Sequence, residues 1–175
     1  MRPSAHALAQ RCFQQYGVIN PVVDIGGMEY VGWEGVQRIT MDMDETAQIV
    51  ADITNMPHVK PNAVGTYVCL DVLEHCKAPW LAIKELHRTL QPGGLLILSV
   101  PFMWEFHEHP KDYWRFTPDA LKLLCDGLFE ELECDWMSET FDAQMWDDDS
   151  QHYVNIHGAV EQACCYFIGR KPSVS

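Results

Sequence analysis

Leu95 to Val100 is the most hydrophobic segment of the chain. A strand that is apolar on both faces cannot leave either face in water. It belongs in the middle of a parallel sheet covered on both sides. The residues before it fit that reading. Pro79 to Leu90 has Pro79 in the first turn and Trp80, Ile83, Leu86 and Leu90 on one face, which predicts a helix. Pro92-Gly93-Gly94 ends it.

Shorter strands precede this unit. Val22 to Ile25, Arg38 to Met41, Gln48 to Val50 and Val64 to Leu70 each read as a strand, with Asp24, Asp42, Asp52 and Asp71 at or near their carboxyl ends. Ser4 caps a first helix reaching Tyr16, and Thr117 caps a later one carrying Leu121, Leu124 and Leu128. Leu132, Cys134 and Trp136 alternate with acids in a half-exposed strand, and Ala163 to Gly169 is a last apolar one. A long polar loop, including Asp147-Asp148-Asp149, is expected between these two strands. Strands alternating with helices, followed by two strands alone, imply a doubly wound, mostly parallel sheet with an antiparallel C-terminal pair. Ligands of such sheets sit outside the carboxyl ends of the strands, where the four aspartates fall. One acid after a strand is ordinarily a turn residue or a cap. Four in succession point to a site.

Bulk properties narrow the function. The 175 residues suit a single domain. Twelve basic against 25 acidic residues give a net charge of −13, which argues against nucleic acid or an anionic membrane surface as partner. No apolar run approaches the roughly 18 residues of a membrane span. Residues 1–16 lack the layout of a secretory signal. Seven cysteines, an odd number with no C-x-x-C pair, read as buried thiols in a reducing, cytoplasmic setting.

Leu70-Asp71-Val72-Leu73-Glu74-His75, with Glu85-Leu86-His87-Arg88-Thr89-Leu90-Gln91-Pro92-Gly93-Gly94 after it, resembles the signature of the class I S-adenosylmethionine (SAM) methyltransferases, small-molecule branch. The segment Pro101-Phe102 and His107 to Pro118 is similar to the stretch after strand five in bacterial members. The resemblance runs from about Pro21 to Lys171 and implies a Rossmann-like, seven-stranded α/β domain. Residues 1–20 would form an N-terminal helix, 21–100 the cofactor-binding half and 101–175 the lid and substrate side.

The resemblance also implies roles. Asp24, Gly26 and Gly27 would form the first cofactor turn. Asp42, with Asp44 as a rival, would accept from the ribose hydroxyls. Asp52 would accept from the adenine amine and Ile53 would offer its backbone amide. Asp71 and Val72 would floor the pocket. Methyl transfer needs a base only when the acceptor must lose a proton, and His75, His107 and His109 are the candidates. The His-x-His spacing with Asp112 could also ligate a metal, but two histidines are a thin match, and no metal site is assigned. Trp104 and its aromatic neighbours Phe102 and Phe106 could face a flat or cationic acceptor. Met28 and Tyr30 stand where the family has glycines. Two outcomes are open: a methyltransferase of a small-molecule or sugar-like acceptor, or a domain that kept the fold, lost the cofactor and serves as scaffold or partner subunit. A homodimer or a protein partner fits either.

Overall fold

The computed structural model describes residues 3–27, 32–108, 111–147 and 152–173. Its elements are α1 (Pro3–Tyr16), β1 (Val22–Ile25), β2 (Arg38–Asp42), β3 (Ile49–Val50), β4 (Val64–Leu70), α2 (Pro79–Thr89), β5 (Leu90–Pro101), α3 (Pro118–Cys125), β6 (Glu130–Asp147) and β7 (His152–Arg170). One seven-stranded sheet has the order β3-β2-β1-β4-β5-β7-β6. β1 to β5 pair in parallel, and β7 runs antiparallel to both β5 and β6. The expected doubly wound sheet with its antiparallel terminal pair is therefore present.

The two faces are covered by different helices. Because strand side chains alternate, β1 sends Val23 and Ile25 to one layer and Val22 to the other. The first layer holds α2 and α3 through Ile83, Leu86 and Leu121. The second holds α1 through Leu8, Ala9, Cys12 and Phe13. The central strands are buried throughout, every residue of β4 and Leu95 to Val100 of β5 included. This is the both-faces burial that their composition demands. At the rim, Glu133 of β6 takes both terminal nitrogens of Arg11 at 2.8 Å and the hydroxyl of Tyr16, so β6 holds α1 in place.

Two expectations are corrected. Strands and helices do not alternate before β4: among the described residues, no helix lies between β1 and β4. The β1–β2 connection is too short for a helical crossover, and Trp33 takes a helix's place. It is buried in the α1 layer, lies against the rings of His6 and Phe13, and donates its indole N–H to the His6 carbonyl at 3.1 Å. The second correction is at the C-terminus. The long loop expected there is largely strand: β6 and β7 pair out to Asp147↔His152. This stretch reads as loop in sequence because its polar residues do not follow a strand's alternating apolar pattern, and its strands are fixed by pairing with each other. Among the described residues, no helix is long and apolar enough to cross a membrane.

Since Trp33 is a large ring buried against α1, Trp33→Ala should cost about 3–5 kcal/mol, the usual range for emptying a large core site. Urea unfolding of the purified variant checks this. A loss below about 1 kcal/mol would show that α1 docks without it.

Candidate active site

A cleft of about 710 Å³ opens at the carboxyl ends of β1 to β5. It lies at the topological switch point, where β1 runs to β2 on one side and β4 on the other. Two backbone reversals shape its floor. Gly26, after β1, has φ +74°, and a Cβ there would come within 2.8 Å of the Val72 side chain. Asp71, after β4, has φ +58°, a conformation L residues seldom adopt. Its amide donates to the Ser99 carbonyl at 2.9 Å, which holds the turn. Gly26 and Val72 thus meet across the floor, and only glycine leaves room at the first position.

Of the residues proposed for the cofactor, Gly26, Asp42, Asp52, Ile53, Asp71 and Val72 line this cleft. Asp42 accepts the Asp44 amide at 3.1 Å. Asp52 Oδ1 accepts the amide and hydroxyl of Thr54 at 2.8 and 2.7 Å. Asp52 is therefore a turn cap and a cleft residue at once. Asp44 is absent from the lining.

Asp24 and Gly27 stand behind the lining. Asp24 points with Val22 into the α1 layer, is fully buried, and pairs with Arg38. A Cβ at Gly27 would land on the Asp24 carboxylate. Arg38 also donates to the Gly27 carbonyl at 2.7 Å and lies over the Trp33 ring at 5.9 Å. Burial pushes the Asp24 carboxyl up to about 6, with Arg38 pulling the other way. Arg38 carries no motif that singles it out in the sequence. The available signal is that a basic residue opens a strand whose register sets it opposite Val22, on the same face as Asp24.

The other end of the cleft is formed by a single-turn 3₁₀ segment, Leu73–His75, and the chain after β5. The Glu74 carbonyl accepts the amide of Tyr113 at 2.8 Å, and the Trp114 indole donates to the Cys76 carbonyl at 2.8 Å. His75 Nδ1 lies 2.6 Å from the Lys111 carbonyl. His107 meets His75 edge to face, ring centroids 4.9 Å apart. Asp112, nearly inaccessible, accepts the His107 amide at 2.9 Å and a guanidinium nitrogen of Arg115 at 2.8 Å. The Arg115 partner holds its carboxyl well below the usual range. His75, His107, Trp104 and Tyr113 line the cleft. Phe102 instead packs on Trp136, and Phe106 is 71% exposed. Glu74, fully buried and also in the lining, stands out in the sequence only as part of a motif. His109, Met28 and Tyr30 lie outside the described residues.

This sheet order and the position of its cleft define a Rossmann-like methyltransferase fold. A family model described as a methyltransferase domain matches residues 29–98. The malonyl-[acyl-carrier protein] O-methyltransferase of Alcanivorax borkumensis is 30% identical over 119 residues, 65% of this chain. That match spans only 37% of the relative's length. Among solved structures, a methyltransferase of Bacillus halodurans superposes with a TM-score of 0.65 at 14% identity, over 94% of this chain and 99% of that one. The 1,6-didemethyltoxoflavin-N1-methyltransferase of Burkholderia thailandensis, solved with S-adenosylhomocysteine, gives 0.59 at 15% identity, over 98% and 78%. At such identities the solved structures speak for the fold. Over residues 29–98 in sequence, and over most of its length in fold, the chain resembles the class I SAM-dependent methyltransferases.

The raised Asp24 carboxyl makes a pH prediction. A group whose folded pKa exceeds its unfolded value contributes stability fully below the unfolded pKa and loses it as pH rises through the folded one, here about 6. Arg38→Gln leaves the buried carboxylate without its counter-charge and should cost about 3–5 kcal/mol at neutral pH. The deficit should shrink on acidification, and adding Asp24→Asn should recover most of it. Urea titrations at about pH 8 and about pH 5 test this. A deficit equal at both would mean that Arg38 offsets no charge.

Proposed function

We propose that this chain transfers the methyl group of SAM to a small-molecule or sugar-like acceptor. The observation that carries the reading is the row of acids and backbone turns at the ends of β1 to β4, all lining one cleft. Gly26 gives the close backbone approach that the methionine end of the cofactor needs. Asp42 accepts from the ribose hydroxyls. Asp52 accepts from the adenine amine, and the Ile53 amide donates to the ring. Asp71 and Val72 form the floor. Asp24 and Gly27 act from behind, fixing the turn that presents Gly26. When bound, SAM supplies an electrophilic methyl group on a sulfonium.

The acceptor enters over the segment after β5. Trp104 and Tyr113 offer it flat faces. Rate comes chiefly from holding it in line with the methyl group, which is a task of positioning. His75 and His107 present ring nitrogens at this end, and either can take the proton of a hydroxyl acceptor. His109 belongs to the same segment of sequence. A protein partner is also in keeping with the superfamily: a similar fold (TM-score 0.64, 15% identity, 98% of this chain and 91% of that one) occurs in the complex of the Haloferax volcanii Trm112 methyltransferase activator with a methyltransferase.

Calorimetric titration with SAM and with S-adenosylhomocysteine tests the proposal. Binding to the folded state must also raise the melting temperature. Asp42→Ala and Asp52→Ala should each weaken binding about 10- to 100-fold, as expected for a hydrogen bond to a charged acceptor. Absence of any shift at millimolar product, with the chain folded, overturns the cofactor reading.

A further inference from the structure

Glu85 and Arg88 stand in the sequence block that resembles the family signature, yet neither lines the cleft. They lie three residues apart on α2, with side chains 20% and 34% exposed. A helix-surface ion pair of this spacing ordinarily contributes little. This pair differs in what else it holds. It is bidentate: Arg88 Nε donates to Glu85 Oε1 at 2.7 Å and Nη2 to Oε2 at 2.8 Å. Glu85 Oε2 also accepts the Met56 amide at 2.8 Å. Arg88 Nη2 donates to the Met56 carbonyl at 2.8 Å, and Nη1 to the Val59 carbonyl at 3.1 Å. One ion pair thus takes three backbone groups of a separate loop.

That loop, residues 51–63, joins β3 to β4 without a helix. Ile53, Met56 and Val59 bury their side chains in the core. Apolar burial is non-directional, so it holds the loop down without fixing its rotation. Hydrogen bonds to the backbone are directional and do fix it. The path from the clamp to the cleft is short. Asn55, next to Met56, donates its amide to the Asp52 carbonyl at 2.9 Å. Asp52 and Ile53 line the cleft. Thr54 takes only Oδ1 of Asp52, which leaves Oδ2 to meet a ligand. Lysine is no substitute for Arg88, because a point charge lacks the fork that spans a carboxylate and two carbonyls.

We propose that Glu85 and Arg88 are positioning residues that set Asp52 and Ile53 at the cleft and so make it selective for adenine over hypoxanthine. This rests on the reading of the cleft as a SAM site. It deepens that reading by naming residues outside the cleft that govern the choice of base. An amine on the base donates to the Asp52 carboxylate, whereas a keto oxygen in its place can only accept and leaves the carboxylate unpaired. Hydrogen bonds weaken steeply away from their geometry, so the rotation of the loop decides the selectivity.

The test compares S-adenosylhomocysteine with S-inosylhomocysteine, which carries a keto oxygen in place of the adenine amine. By calorimetry the unaltered chain should prefer the first about 10- to 100-fold. In Arg88→Lys, which keeps the charge and the helix, the preference should fall below about threefold. The loss should fall on S-adenosylhomocysteine, with the affinity for the inosine analogue little changed. In the ligand-free variant, amide exchange over residues 52–59 should quicken about tenfold while β4 exchanges as before. Glu85→Ala should reproduce both effects, and both variants should melt cooperatively. A variant that loses both ligands in equal proportion has a merely structural defect, which overturns the proposal. Unchanged exchange over residues 52–59 overturns it too, as does equal affinity of the unaltered chain for the two ligands. Failure of the unaltered chain to bind either ligand overturns the cofactor reading and this proposal with it. A preference that survives Arg88→Lys overturns this proposal alone.

Discussion

The Gly26 end of the cleft depends on one buried ion pair, Asp24 with Arg38. A carboxylate with no exposure carries a desolvation cost of several kcal/mol unless a cation meets it. Arg38 meets it from the neighbouring strand and adds the Gly27 carbonyl and the Trp33 ring to the same cluster. The pair imposes three requirements. Position 27 must lack a side chain, because the carboxylate occupies that space. The turn at Gly26 must reverse toward the cleft. Trp33 must stay in the α1 layer, where it stands in for a crossover helix. Charge and one large ring thus fasten Gly27 and Trp33 to the sheet on either side of this short connection.

The cleft itself arises from two loops that leave adjacent parallel strands at the same level. Gly26 comes after β1 and Asp71 after β4, and each reverses the chain with a positive φ. Parallel strands put both ends on one edge, and the reversals turn both backbones toward each other. Holding Asp71 there costs of order 1–3 kcal/mol. The hydrogen bond from its N–H to the Ser99 carbonyl and the buried Leu95–Val100 stretch of β5 beside it supply the constraint that keeps it so.

Most of the sheet is legible in the sequence because its signals are local. The apolar run of β5, the proline-started α2 and α3 and the Thr117 cap, which accepts the Ala120 amide at 3.2 Å, are written in consecutive residues. The acids at the strand ends are legible as a set because strand period and parallel order bring them to one edge. The illegible features are non-local. That Asp24 turns to Arg38 depends on strand register. That the polar stretch after Trp136 forms paired strands depends on its partner strand, which lies later in the sequence. Glu74 is visible in the motif, yet its burial beside two imidazoles requires the loop after β5 to fold back over it.

That fold-back ties the two ends of the cleft together. The Leu73–His75 turn directly follows Val72, which meets Gly26 across the cleft floor. The same turn holds the later segment by backbone: the Glu74 carbonyl takes the Tyr113 amide, the Cys76 carbonyl takes the Trp114 indole, and His75 grips the Lys111 carbonyl. The Asp112–Arg115 pair stiffens that segment internally, with the His107 amide on the same carboxylate. The groups at this end of the cleft are therefore referenced to the Gly26–Val72 floor through a few consecutive residues rather than through the whole sheet. In the function proposed above, in-line transfer would tolerate little error between donor and acceptor. A short turn shared by both ends of the cleft would keep that error small, and on that proposal it gives a physical reason for the Leu73-Glu74-His75 sequence to come directly after β4.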